Sequence, residues 1–167
     1  MKKTSKINLI TGFVIIFLVI IDQVIKYFVD LYLQPIGTQT VIPNFLQLHY
    51  FENDGAMMGF MSGQTEIMSI AALICLVAVF VVLMSGKVKF GVLYVCIAGI
   101  AAGGLGNIID RVFRGYVIDY IEVLFVDFYI FNFADCLVTV AAFSIIAYEI
   151  YEIIQESKLK KANKQNG

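Results

Sequence analysis

Four stretches of about twenty mostly apolar residues run through this chain, and they leave few folds open to it. They cover about 7–28, 67–84, 90–109 and 133–154. The hydrocarbon core of a bilayer needs a helix of roughly 20 such residues, so each stretch can cross it. Hydrophobic residues make up 60% of the 167 positions, against roughly 45–50% in an ordinary soluble domain. A soluble globule of this length has no core large enough for the surplus, whereas a membrane accepts it. The first stretch is too long for a signal-peptide core and no Ala-x-Ala cleavage pattern follows, so it reads as a retained helix. The fold class expected is an α-helical integral membrane protein with four transmembrane helices, forming one domain over 1–167.

Two longer loops, about 29–66 and 110–132, separate the spans. Thr38 to Ile42 and Phe45 to Phe51 carry β-branched and aromatic residues around Pro43-Asn44, which reads as two strands about a turn. Two more such runs lie between Tyr116 and Phe131. A small extracytoplasmic β-sheet resting on the outer leaflet is therefore expected. The tail after Glu156 is polar and lysine-rich and reads as a frayed helix end or disorder. There is no repeat of 20–50 residues, and the two halves lack the inverted symmetry of many secondary transporters.

Composition narrows the chemistry. The net charge is -1 and basic runs occur only at the termini, so nucleic acid is not an expected partner. Cys75, Cys96 and Cys136 all fall in apolar stretches without a CxxC or Cys/His cluster, and read as small hydrophobic thiols. His49 is the only histidine and lies outside the spans. That removes H-E-x-x-H metal chemistry and Ser/His or Cys/His nucleophiles within the spans. No metal and no organic cofactor is expected.

Carboxylates are what remain. Asp119 and Asp135 sit in polar clusters near the outer ends of apolar segments, and carboxylates at membrane depth are costly. A return hairpin between them would bring the two together, and two carboxylates at one site can share a proton and activate water. The plain alternative is a pair of unrelated interfacial aspartates. Asp22 and Lys26 lie four apart on the first span and share a face. They are either a structural ion pair or a pair that positions substrate. Asn53-Asp54-Gly55-Ala56-Met57-Met58-Gly59 is either an ordinary turn or a substrate cradle in which Asn53 donates to a peptide backbone. Gly103-Gly104-Leu105-Gly106-Asn107 follows a membrane helix rather than a strand, so close helix packing explains its glycines. Asp110 beside Arg111 reads as an interfacial salt bridge, and Ala134 as a small residue that leaves room for a peptide at Asp135. Two readings from other classes stand beside a protease: an ion-coupled transporter or channel subunit, and a noncatalytic membrane scaffold.

Five blocks in order resemble one family, the bacterial lipoprotein (type II) signal peptidases. Asp22-Gln23-Val24-Ile25-Lys26 is similar to the family's Asp-Gln-x-x-Lys, and Asn53 to Gly59 to its Asn-x-Gly-Ala block. Gly106-Asn107-Ile108-Ile109-Asp110-Arg111 with Gly115 to Tyr120 resembles Gly-Asn-x-x-Asp-Arg…Gly-x-Val-x-Asp-Phe, and Asn132-Phe133-Ala134-Asp135 resembles Asn-x-Ala-Asp. The chain departs from the family at Met57, Met58, Gly104, Tyr120 and Cys136. The resemblance implies an aspartic endopeptidase of the bacterial cytoplasmic membrane. Its substrates would be diacylglyceryl-modified prolipoproteins, cut just before the lipidated cysteine. It implies Asp119 and Asp135 as the catalytic pair, with Asp22, Lys26, Asn53, Gly55, Asn107, Arg111, Asn132 and Ala134 near substrate or pair. It further implies a monomer in contact with membrane lipids and inhibited by globomycin-type cyclic peptides.

Orientation follows from the lysines. Of the twelve Lys and Arg residues, all but Lys26, Arg111 and Arg114 lie before the first span, between the second and third, or after the fourth. The segment 30–66 has none. The positive-inside rule puts both termini in the cytoplasm and both long loops, with Asp119 and Asp135, at the outer face. With Cys75, Cys96 and Cys136 replaced, a cysteine at Gln39 is expected to react with a membrane-impermeant thiol reagent in intact cells. One at Gln165 is expected to react only after permeabilisation. The reverse pattern would place the carboxylates on the cytoplasmic side.

Overall fold

The computed structural model describes residues 2–55 and 65–165, with side chains from 6–55 and 66–161. The Met57 and Met58 positions lie outside the described residues. Four long helices, α1 (Lys2–Phe28), α2 (Thr65–Met84), α3 (Val92–Arg114) and α4 (Phe133–Gln165), form the bundle. Each is long and apolar enough to cross a membrane. Three strands, β1 (Thr38–Ile42), β2 (Leu46–Asn53) and β3 (Val117–Val123), form one antiparallel sheet in the order β1-β2-β3.

Several boundaries differ from the hydropathy reading. α1 begins at Lys2 and continues past Phe28 into a π-type turn, Val29–Leu33. α3 runs on to Arg114, and α4 runs to Gln165, so the lysine-rich tail is helical rather than frayed. Glu149, Glu152 and Glu156 precede Lys158, Lys160 and Lys161 there, and Lys160 pairs with Glu156 at 3.7 Å. A helix can continue on polar residues once it has left the hydrocarbon. Of the two strand-like runs between Tyr116 and Phe131, the first is β3. Among the described residues the second makes a single bridge, Phe131 to Ile121.

α3 is the central helix. It packs against α1, α2 and α4 and buries Ala98, Ala101, Ala102, Gly103 and Gly106. Small residues let helix backbones approach closely, which is the main source of helix affinity in lipid. A Cβ at Gly103 would run into the Ala134 carbonyl and lie 2.8 Å from Val138 Cγ2. One at Gly106 would lie 2.6 Å from Asp22 Oδ2. Gly104 instead faces Leu76 at an ordinary 3.6 Å. Large apolar side chains cover the bundle's outside, among them Val81, Val140 and Phe143, each more than 60% exposed. Only lipid makes that surface tolerable, which fits the span lengths.

The sheet carries one wall of the site. Gly115 ends α3 in the left-handed conformation (φ 84°), its N–H bonded to the Arg111 carbonyl, and turns the chain into β3. Val117, Ile118, Asp119 and Tyr120 are buried there. Phe51 pairs with Asp119 and Asn53 with Val117, so Asn53 is the diagonal cross-strand neighbour of Asp119 on one face. Asp119 thus lies within a strand, not at a helix end, because the chain leaves α3 four residues earlier.

Gly103→Ala is expected to lower stability by about 1–3 kcal/mol, because the Ala134 backbone cannot yield to the new methyl. Gly104→Ala should stay within about 0.5 kcal/mol of the parent or gain slightly. Thermal unfolding of the two variants in detergent checks the contrast.

Candidate active site

Asp135 owes its position to the start of α4. Asn132 Oδ1 accepts the Asp135 N–H at 3.0 Å, and Asp135 Oδ2 accepts the Asn132 N–H at 3.2 Å. This is a reciprocal capping box with the acid at the third helical position. Asn132, fully buried, also donates from Nδ2 to Asp119 Oδ1 at 2.6 Å. One asparagine therefore ties the strand carboxylate to the helix carboxylate. Asn53 Nδ2 donates to the other oxygen, Asp119 Oδ2, at 2.8 Å.

Asn107, on α3, donates from Nδ2 to Asp135 Oδ1 at 2.8 Å. Its Oδ1 accepts from Asn132 Nδ2 at 3.1 Å and from Lys26 Nζ at 2.9 Å. Two donors on the oxygen leave a single consistent amide orientation, and that aims the NH2 group at Asp135.

Lys26 lies beneath this layer. Its ammonium, with 0% exposure, meets Asp22 Oδ2 at 2.9 Å, Asp110 Oδ2 at 2.7 Å and Asn107 Oδ1 at 2.9 Å. Three donors meet three acceptors. Asp22 Oδ1 accepts the Ala134 N–H at 3.2 Å, and Gln23 Nε2 reaches Asp22, Asp110 and the Gly106 carbonyl, each at 3.2 Å. The cluster therefore joins α1, α3 and α4.

Arg111 Nη2 donates to the Gly55 carbonyl at 3.1 Å, while Gly55 N–H bonds Asn53 Oδ1 at 3.1 Å. This Asx-type turn orients Asn53, whose amide serves Asp119. Arg111 Nε is buried without a hydrogen-bond partner among the described residues.

A cavity of about 350 Å3 opens over these groups. Asp119, Asp135, Asn53, Asn107 and Arg111 line it, with Met68, Val117, Val138, Thr139 and Tyr129 as the remaining wall. Asp119 is buried, and that burial, reinforced by the charge of Asp135, pushes its pKa up to about 7; the Asn53 and Asn132 amides and Lys26 work against the rise. A carboxyl that keeps its proton near neutrality beside a second carboxylate is suited to acid–base work.

The structure sorts the sequence candidates into two groups. Asp119, Asp135, Asn53, Asn107 and Arg111 face the cavity, while Asp22, Lys26, Gly55, Asn132 and Ala134 stand behind it. Asp22 and Lys26 form a buried ion pair at 2.9 Å. Asp110 pairs with Lys26 and, at 3.5 Å, with Arg114 Nε, not with neighbouring Arg111, because adjacent helical residues point apart. Ala134 is fully buried and turned toward Gly103 and Gly106, so its small size serves helix packing rather than room for a peptide. Val138 and Thr139, three and four residues after Asp135, are cavity residues that helical spacing could have found. Met68 and Tyr129 had no such signal. Among the described residues no group of three His, Cys, Asp or Glu side chains could hold a metal ion.

The comparisons with known proteins agree with one another. The family model for signal peptidase (SPase) II matches residues 14–151. A lipoprotein signal peptidase of Lactobacillus johnsonii is 32% identical over 133 residues, covering 80% of this chain and 86% of the relative. One from Caldanaerobacter subterraneus subsp. tengcongensis is 38% identical over 132 residues, covering 77% and 88%. Two solved bacterial membrane enzyme structures superpose with TM-scores of 0.74 and 0.69. They are 35% and 36% identical, covering 86% and 83% of this chain and 88% and 90% of theirs. The chain belongs to the signal peptidase II family.

Lys26→Met should leave Asp22 and Asp110 buried without their common partner, at a cost of about 3–5 kcal/mol. Denaturation in detergent measures it. A loss below about 1 kcal/mol would mean that the cluster does not hold the bundle together.

Proposed function

We propose that Asp119 and Asp135 are the catalytic pair with which this signal peptidase removes signal peptides from prolipoproteins, cutting before a diacylglyceryl-modified cysteine. The observation that carries the reading is the shared cavity: both carboxylates line it, and Asn132 bonds both. Two carboxyls at one desolvated site hold a single proton between them, and burial favours placing it on Asp119. The ionised partner takes a proton from water, and the protonated one donates to the scissile carbonyl as water attacks. A tetrahedral diol forms, its C–N bond breaks, and the amine leaves with a proton returned by the pair. Asn53, Asn107 and Asn132 keep each carboxylate's direction fixed through the cycle.

The apolar exterior lets a signal peptide, itself an apolar helix, approach sideways from the bilayer. The lysine distribution supports an outward-facing site and cytoplasmic termini. Lipid chains on the substrate cysteine then remain in the outer leaflet, in contact with the same lipids as the enzyme. A cyclic peptide of the globomycin type would act by occupying the cavity over the pair. The chain works as a monomer in this reading, since every group in the mechanism comes from it.

Purified protein and a diacylglyceryl-modified prolipoprotein give the direct assay, with the shorter product as readout. Asp119→Asn and Asp135→Asn should each lower cleavage on the order of 10^4-fold or more, and the double variant should be little worse, because the two act as one unit. Substantial activity in a folded single variant would remove the assignment. The pH profile follows from Asp119. The pair needs its one proton, so kcat should fall as pH rises through about 7, and in the acid direction only when both carboxyls are protonated. A kcat that climbs steadily to pH 9 would contradict the shared proton. A transporter or channel would instead show flux in liposomes and no shorter product.

A further inference from the structure

Tyr129 forms a wall of the cavity that the capping and ion-cluster geometry does not explain. It lies on the connection between β3 and Asn132. Two residues on, Phe131 donates its N–H to the Ile121 carbonyl at 3.0 Å, and its own carbonyl accepts from Tyr120 and Ile121 at 3.1 and 2.8 Å. The connection is therefore pinned to β3 next to Asp119. The Tyr129 ring is braced by Phe128, with centroids 4.2 Å apart, and by Phe131, at 6.1 Å. Position and orientation of the phenol are thus set by the fold.

Several of the cavity's other donors are committed, although Arg111 Nε has no partner among the described residues and Thr139 also lines the space. Asn53 serves Asp119, Asn107 serves Asp135, and Arg111 Nη2 serves the Gly55 carbonyl. Tyr129 lines the same cavity, and its hydroxyl makes no hydrogen bond among the described residues. Burial, and then the charges of Asp135 and Asp119, raise its pKa, so it stays a protonated donor. An extended peptide presents backbone carbonyls, which carboxylates cannot bond and which need donors.

We propose that Tyr129 is a substrate contact: its hydroxyl donates a hydrogen bond to a backbone carbonyl of the peptide lying across Asp119 and Asp135, and its ring closes that side of the cavity. The inference rests on the proposed catalytic pair.

Tyr129→Phe keeps the ring and its bracing and removes only the donor. In the prolipoprotein cleavage assay it should raise KM roughly three- to ten-fold, the worth of one hydrogen bond, with kcat within about two-fold. Tyr129→Ala, which also opens the wall, should raise KM further. A purely structural role would leave Tyr129→Phe at the parent's KM, and that result overturns the proposal, as does a fall in kcat at unchanged KM. Asp119→Asn is run alongside. If it is inactive while Tyr129→Phe equals the parent, only this inference fails; if Asp119→Asn cleaves, the catalytic pair itself is wrong.

Discussion

A lysine ammonium buried to 0% exposure between two aspartates is the interaction on which the rest of this molecule depends. An isolated charge in such a place would be prohibitively costly. Here all three N–H donors of Lys26 are used, on Asp22, Asp110 and Asn107, and each acceptor belongs to a chain of further bonds. Asp22 holds the first turn of α4 through the Ala134 N–H, and Asn107 holds Asp135. The glycines of α3 matter for the same reason. Without the space at Gly106, α3 could not come close enough to α1 for the lysine to reach Asp110.

The capping box at Asn132 converts this scaffold into a site. Capping alone needs only a side-chain oxygen and an acid three residues on. Asn132 has a spare NH2 group, and it goes to Asp119 on a different element. An ionised aspartate could cap the helix but has no hydrogen to donate to Asp119. The asymmetry between the carboxyls then follows from position. Asp119 is enclosed by strand neighbours, with its pKa pushed up to about 7, whereas Asp135 is only partly buried.

Much of this was legible in the residues. Hydropathy located four helices, and alternation of β-branched and aromatic residues located β1 and β2. The candidate polar residues fall at the cavity or directly behind it. The limits were physical. Hydropathy ends where the hydrocarbon ends, so it could not show α4 continuing to Gln165 through polar residues. Adjacency suggested Asp110 with Arg111, whereas the fold pairs Asp110 with Lys26, which is 84 positions away in the chain, because helix faces and not neighbours decide contacts. Ala134 looked like space for substrate and is space for a helix. Tyr129 is one of nine tyrosines, and only the pinning of its connection to β3 brings it to the carboxylates.

In the proposed mechanism one proton is shared at this site near neutral pH. Infrared difference spectra of protein carrying isotope-labelled aspartate read it directly through the carboxylic-acid C=O stretch. A protonated aspartate band should persist to about pH 7, vanish in Asp119→Asn, and titrate at lower pH in Asp135→Asn, where the neighbouring charge is gone. Absence of such a band at neutral pH, or a band indifferent to both substitutions, would contradict the account.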